Sequence, residues 1–105
     1  MTNPKTAAEK TDWLQRKFGG CVITSEIEKG WFSSRIDGVS VVGLMTYNAE
    51  QTSSTRDGSI EHLFDFIAHH GRHAHIVFDQ GRQRVVVNPE TLELKPYAMP
   101  VAAPA

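Results

Sequence analysis

The chain has 105 residues, with 11 basic and 12 acidic side chains and a formal net charge of −1. Its hydrophobic fraction of 40% and charged fraction of 22% are ordinary for globular domains, so one core can form and a second has no room. The near-neutral charge excludes a surface that is strongly basic overall, as in histone-like nucleic-acid binding, but leaves room for a local basic patch. No apolar run approaches the length of a membrane span. We therefore expect one domain over residues 1–95 and an irregular tail over 96–105, where prolines and alanines dominate.

The chain contains a single cysteine, Cys21, which cannot form an internal disulfide. The protein therefore gains nothing from an oxidising compartment, and its N-terminus has no signal-peptide pattern, so we expect a cytoplasmic protein. Cys21 lies on the predicted apolar face of the first strand. There we expect an inert buried thiol rather than a nucleophile.

Two helices are predicted from capping signals and apolar spacing. The first begins either at Asn3-Pro4 or at the Thr6–Glu9 capping box, and a glycine pair ends it. The second has Asp57 or Ser59 as its N-cap and continues through His70. Its core-facing stripe follows the i, i+3, i+4, i+7 spacing and consists of Ile60, Leu63, Phe64 and Ile67.

Between these helices the sequence predicts an antiparallel meander of three strands joined by two-residue turns. Its strands and turns, in chain order, are Cys21–Ile27, Lys29-Gly30, Trp31–Ile36, Asp37-Gly38 and Val39–Tyr47. The polar segment 48–59 is predicted to be a loop. The register set by the two turns places ten residues on the core face: Cys21, Ile23, Ser25, Ile27, Phe32, Ser34, Ile36, Val39, Val41 and Met45.

After the second helix, the sequence predicts a hairpin of His73–Asp79 and Arg82–Asn88 around a Gln80-Gly81 turn. A type I turn at 88–91 then leads to a short edge strand, Leu92–Lys95. The predicted fold is of the α+β class, in the order α-β-β-β-α-β-β(-β). We expect an antiparallel sheet built of tight hairpins, with two helices packed on it.

The predicted outer face of the meander is half apolar. Trp31, Val42 and Leu44 lie together there, and Arg35 lies beside them. A solvated face does not normally collect such large apolar side chains. Either the first helix packs over this face and the second covers the opposite one, or another chain covers it. The second explanation predicts a non-enzymatic binding or regulatory protein, of adaptor or inhibitor type, whose partner is another protein or a second copy of itself.

A second hypothesis is a small anionic ligand, such as a nucleotide, bound at the start of the second helix. Hydroxyl groups precede this helix, and free backbone N–H groups at a helix N-terminus bind phosphate. Asp57, at the expected anion position, and the absence of a P-loop lysine argue against it. The candidate ligand-binding residues, which include two arginines from the region of the second hairpin, are Ser53, Ser54, Thr55, Arg56, Ser59, Arg72 and Arg84.

A third hypothesis is a metal-binding protein or an enzyme that uses a histidine cluster, because four of the five histidines lie close together in the sequence. His73 and His75 are two apart on a predicted strand and point to the same side, a geometry that zinc uses. His69 or His70 would supply a third ligand, and a carboxylate such as Asp79 a fourth. The alternative is a helix C-terminus decorated with histidines, which suit its negative dipole. Without paired carboxylates, further cysteines or a catalytic motif, we expect neither a cofactor nor an enzyme.

Overall fold

The computed structural model describes residues 3–43, 46–88 and 90–97. Its elements are α1 (Ala7–Phe18), β1 (Val22–Glu28), β2 (Trp31–Val42), β3 (Thr46–Ser53), α2 (Arg56–His70), β4 (His75–Phe78), β5 (Gln83–Val87) and β6 (Leu94–Pro96). The predicted α+β class and the order α-β-β-β-α-β-β(-β) are confirmed. Within these ranges, no helix is long and apolar enough to cross a membrane.

The six strands form one antiparallel sheet that curves into a half-barrel. The central strand is β2, and β3 pairs along one of its sides. On the other side, β1 pairs with the first half of β2 and β4 with the second half. From β4 the sheet continues to β5 and β6. One long strand therefore joins all the others into a single sheet.

The predicted hairpin at Asp37-Gly38 is wrong, because β2 continues through these residues. Gly38 does have the positive φ that a tight turn needs, at +74°. Here, however, it belongs to a bulge: between the paired positions Arg35 and Ser40 of β2, only Ala49 of β3 stands opposite. An Asp-Gly pair accommodates positive φ in a bulge as readily as in a turn, so the dipeptide does not distinguish the two.

Loss of that turn changes the segment that follows. Strand β3 is Thr46–Ser53, so the predicted third strand Val39–Tyr47 is wrong, and residues 48–53 are strand rather than loop. The N-cap of α2 is Thr55, not Asp57 or Ser59. The predicted core position Met45 lies outside the described residues, as do Leu44, Pro89 and residues 98–105 of the tail.

The Lys29-Gly30 turn between β1 and β2 is confirmed, since Glu28 opposes Trp31 and Gly30 has φ +76°. Strand β1 then contains an extra residue, so that Glu26 rather than Ile27 opposes Phe32. A shift of one residue exchanges the two faces of a strand. The predicted core positions that this bulge turns away from the core are Cys21, Ile23, Ser25 and Ile27. Cys21 is exposed, which contradicts its assignment as a buried thiol.

Both helices pack on the same face of the sheet. Trp13 of α1 lies edge-on to Phe64 of α2, with ring centroids 5.3 Å apart, and Phe18 lies edge-on to Phe78 of β4 at the same distance. The expectation that α1 covers the outer face is therefore wrong. The buried apolar core consists of Trp13, Leu14, Phe18, Ile36, Val39, Val41, Ala49, Leu63, Phe64, Ile67, Ile76, Phe78, Val87 and Leu92.

The first helix begins at the capping box, one of its two predicted starts. The Thr6 hydroxyl accepts from the Glu9 N–H, and the Glu9 carboxylate accepts from the Thr6 N–H, both at 3.1 Å. These bonds hold the pKa of Glu9 below its usual value. The helix ends at Gly19, whose φ is +64°. The competing start at Asn3-Pro4 is wrong.

The β4–β5 hairpin has the predicted register, with Ile76 opposite Val85 and Phe78 opposite Gln83. Its Gln80-Gly81 turn has φ values of +56° and +84°, as a two-residue hairpin requires. Both strands are shorter than predicted, and β6 begins at Leu94 rather than Leu92.

Candidate functional site

The start of α2, predicted to bind an anion, is capped by the protein itself. The Thr55 hydroxyl accepts from the N–H of Gly58 at 2.9 Å, which satisfies one donor of the first helical turn. The Ser53 hydroxyl lies beside this cap and accepts from the N–H of Thr55 at 3.5 Å. Ser54 is exposed nearby. The hydroxyl groups of this segment therefore serve the local structure.

Ser59, another predicted ligand residue, is fully buried in a chain of hydroxyl groups. Its Oγ donates to the carbonyl of Arg56 at 2.7 Å and lies 2.7 Å from Ser34 Oγ. Ser34 Oγ lies 2.8 Å from Thr24 Oγ1. Each hydroxyl has one proton, so the donors run from Thr24 to Ser34 to Ser59 to the carbonyl. This chain joins β1, β2 and α2.

The Arg56 side chain lies over the free edge of β1. Its guanidinium stacks on the Phe32 ring, 5.1 Å from the centroid, and Nη1 donates to the Thr24 carbonyl at 3.4 Å. The Asp37 N–H donates to the Cys21 carbonyl, and bonds to β2 alternate along β1, so the Thr24 carbonyl points away from β2. A charged side chain on an exposed strand edge discourages unwanted strand pairing.

Arg72 and Arg84 do not join this segment. Arg72 follows the far end of α2, a helix of 15 residues, which places it about 22 Å along the axis from the Thr55 cap. Arg84 lies on β5, where Nη1 contacts His75 Nε2 at 3.2 Å. The predicted ligand residues therefore form two separate groups.

The histidines are divided in the same way. His69 and His73 lie near each other, with ring centroids 5.5 Å apart, but His73 lies in the turn before β4 rather than on the strand. His75 instead stacks on Tyr97, with centroids 4.0 Å apart and planes 13° apart. In the part of the chain that the structure describes, no three His, Cys, Asp or Glu side chains are placed to hold a metal ion. Asp79, the predicted fourth ligand, accepts from Gln83 Nε2 at 3.4 Å.

A basic groove forms where β2 ends and β4 begins. It has a volume of about 540 Å³, within the range of small-ligand sites. The residues lining this basic groove are Val42, Gly43, Arg72, His73, Ala74, His75, Val86 and Tyr97. Arg72 Nε donates to His73 Nε2 at 3.0 Å. One arginine and two imidazoles therefore line the groove together with apolar side chains, and Arg84 is linked to it through its contact with His75.

His75 is the buried member of the basic groove, with 8% of its surface exposed. Burial, and then the positive charge of Arg84, hold the pKa of His75 below its usual value. Arginine only donates, so the Nε2 atom that faces Arg84 carries no proton and the imidazole is neutral. In the described ranges, no carboxylate forms an ion pair with Arg84.

Tyr97 was not among the predicted site residues, because it lies in the segment that was predicted to be an irregular tail. Its N–H donates to the Arg84 carbonyl at 2.8 Å, which extends the β5–β6 pairing by one residue. The alternation along β6 places Tyr97 on the same face as Lys95. Continuing this two-residue alternation past Lys95 would have predicted the face on which Tyr97 lies.

The described residues of the predicted interface, Trp31, Arg35 and Val42, lie on the helix-free face but not together. Trp31 is 42% exposed at the start of β2, and Val42 is half-buried at its end. Twelve strand residues separate the ends of β2 by about 36 Å when extended. Arg35 is exposed and pairs with Asp37 at 2.9 Å.

Ile27 was predicted to lie in the core, but it is 53% exposed on β1, the strand that pairs with the start of β2. Ile27 and Trp31 are the two large apolar side chains that are exposed in the described residues. Only the bulge in β1 accounts for its position, and no sequence signal marks that bulge.

Comparison with known proteins finds no matching family model, no matching curated protein and no matching solved structure.

Proposed function

We propose that this chain is a small non-enzymatic binding protein that works as a homodimer. The surface that we assign to the contact is the hairpin patch, which consists of Ile23, Ile27 and Trp31 on β1 and β2. The observation that carries the proposal is the exposure of Ile27 and Trp31, at 53% and 42%, beside a sheet face that carries no helix in the described ranges. Grouped exposed apolar side chains mark interaction surfaces.

The charges around the hairpin patch favour a second copy as the partner. Glu28 and Lys29 lie at the hairpin end, and Glu50 stands opposite Arg35 on the neighbouring strand. Both signs of charge are therefore present next to the apolar residues. A two-fold contact brings the same surface together from each copy, so a mixed rim allows opposite charges to meet. A rim of one sign would repel itself.

Trp31 is the expected centre of this contact. Tryptophan is enriched among the interface residues whose removal costs most, at about 2 kcal/mol or more. Because about 1.4 kcal/mol corresponds to a factor of ten in affinity, Trp31→Ser should weaken dimerisation by at least about tenfold. Ile27→Ser should weaken it as well, and the double variant should be monomeric at concentrations where the wild type is dimeric.

Light scattering after gel filtration, with sedimentation velocity over a wide concentration range, tests the proposal. One chain has a mass of 11.7 kDa, and the dimer has twice that mass. Gln15→Ser, at an exposed position of α1, is the matched control and should leave the dimer intact. A monomer at all concentrations contradicts the proposed dimer. A dimer that persists in the double variant contradicts the assignment of the hairpin patch.

A further inference from the structure

The basic groove has a charge that the described protein does not neutralise. The ion pairs in the described ranges join Arg16 to Asp12 and Arg35 to Asp37. Arg72 and Arg84 have only imidazole nitrogens as side-chain partners there. Each guanidinium has five N–H donors, and one of these is used in each contact. N–H donors therefore remain on both guanidinium groups.

The imidazole of His75 fixes where one of these charges lies. It is held between the stacked ring of Tyr97 and the Arg84 guanidinium, and it is 8% exposed. Because its Nε2 accepts from Arg84, its remaining ring proton is on Nδ1. The neutral ring thus holds the Arg84 guanidinium next to His75, which lines the groove together with Arg72.

The rest of the basic groove is apolar. Val42 and Val86 line it, and Gly43 leaves the floor without a side chain. A site with an apolar floor and a few convergent polar groups is typical of small-ligand binding. The ligand that matches carries an oxyanion at one end, for the guanidinium groups, and an apolar group at the other.

We propose that the basic groove binds a small organic oxyanion, a carboxylate or a phosphate monoester. Arg72 contacts the oxyanion directly, Arg84 adds a second positive charge beside it, and the apolar part of the ligand lies on Val42 and Val86. The groove begins at the end of β2 opposite to Trp31, so the hairpin patch and the oxyanion site do not overlap. The proposal is independent of dimerisation.

Titrations followed by ¹H–¹⁵N NMR test this site with four probes: benzoate, phenyl phosphate, inorganic phosphate and the neutral benzyl alcohol. Benzoate or phenyl phosphate should produce saturable shifts at the amides of Arg72, His75 and Tyr97. The arm that binds more tightly distinguishes a carboxylate ligand from a phosphate ester. Inorganic phosphate should bind more weakly, because it has no apolar group, and benzyl alcohol should give no saturable shift.

Variants then separate specific binding from general attraction to positive charge. Arg72→Gln should weaken the binding of the better probe by at least about tenfold, because it removes a charged donor that contacts the oxyanion. Arg84→Gln should weaken binding less, because it removes a positive charge that does not line the groove. Arg72→Lys should restore part of the loss. Arg82→Gln removes the same charge from the exposed tip of the β4–β5 hairpin and should bind as the wild type does.

Three results would overturn the proposal: no saturable shift with either organic anion, unchanged affinity in both Arg72→Gln and Arg84→Gln, or an equal loss in Arg82→Gln. The dispersion of the spectrum shows whether each variant is folded, and Arg72 is exposed, so its replacement leaves the core intact. The Trp31→Ser variant should bind the anion as the wild type does. Anion binding by a monomeric wild type would therefore contradict the dimer and leave the oxyanion site supported.

Discussion

Replacement of the buried serines offers the sharpest test of how the sheet and α2 are joined. Ser34 and Ser59 are both 0% exposed, and their oxygens lie 2.7 Å apart. In Ser59→Ala, the Ser34 hydroxyl loses its acceptor and can donate only to Thr24 Oγ1, whose own proton must then turn to water. The lost buried hydrogen bond and this rearrangement should lower the free energy of unfolding by about 1–2 kcal/mol.

Ser34→Ala has a different consequence. It removes the middle of the chain, so that Ser59 still donates to the Arg56 carbonyl and the half-buried Thr24 hydroxyl can turn to water. We expect a smaller loss, about 1 kcal/mol. The double variant removes both ends of the buried bond, so its loss should fall short of the sum of the single losses by about 1 kcal/mol.

Urea unfolding followed by tryptophan fluorescence measures these losses, because Trp13 is buried against Phe64. In a domain of this size, each kcal/mol also lowers Tm by about 4–8 °C. Ser25→Ala, at an exposed position of β1, is the control and should change stability by less than about 0.5 kcal/mol. Losses that are additive within about 0.5 kcal/mol would refute a direct energetic coupling between the two hydroxyl groups.

Two further predictions concern a glycine pair and a buried histidine. A Cβ at Gly20 would lie 2.7 Å from Ile36 Cγ2 and 2.8 Å from the Asp37 carbonyl oxygen. Gly20→Ala should therefore lower the free energy of unfolding much more than Gly38→Ala, which carries only the penalty of about 1 kcal/mol for positive φ. Thermal unfolding compares them, and equal losses would contradict the packing argument. The lowered pKa of His75 means that the unfolded chain takes up its proton first as the pH falls. The contribution of neutral His75 to the free energy of unfolding should therefore be fully present above the ordinary imidazole pKa. It should be lost as the pH falls towards the pKa of His75 in the folded protein. His75→Gln should flatten this dependence in urea titrations across that range, and an unchanged slope would contradict it.

The parts of the fold that were predictable are those in which a local signal has one structural meaning. The Thr6–Glu9 capping box was one of the two predicted starts of the first helix, and the helix begins there. The alternation through Ile76, Phe78 and Val85 fixes the faces of the β4–β5 hairpin, and the structure keeps them. In this hairpin, the turn residues and the alternation of apolar residues predict the same register.

The parts that failed are those in which one signal serves two geometries. Asp37-Gly38 permits positive φ both in a hairpin turn and in a bulge, and only pairing with β3 and β4 selects the bulge. The extra residue at Ile27 is set by the pairing of β1 with β2, and nothing in the local sequence requires it. A bulge reverses the faces of everything beyond it, so a single missed residue misplaced most of β1.

The candidate sites show the same limit. The sequence identified Arg72, Arg84 and His75 as chemically interesting residues, but it assigned the two arginines to the start of α2 and the histidine to a metal. Contacts across the sheet decide these groupings: His75 meets Arg84 through the β4–β5 pairing and Tyr97 through β6. Residues far apart in the chain become neighbours only once the strand order is known.

The central position of β2 has a consequence for how the protein unfolds. This strand pairs with β1, β3 and β4, so its amides are held from both sides along much of its length. Neither end of the sheet can detach from β2 without losing strand pairs. Fragments cut on either side of β2 should be unfolded alone, and the intact chain should melt in one cooperative transition.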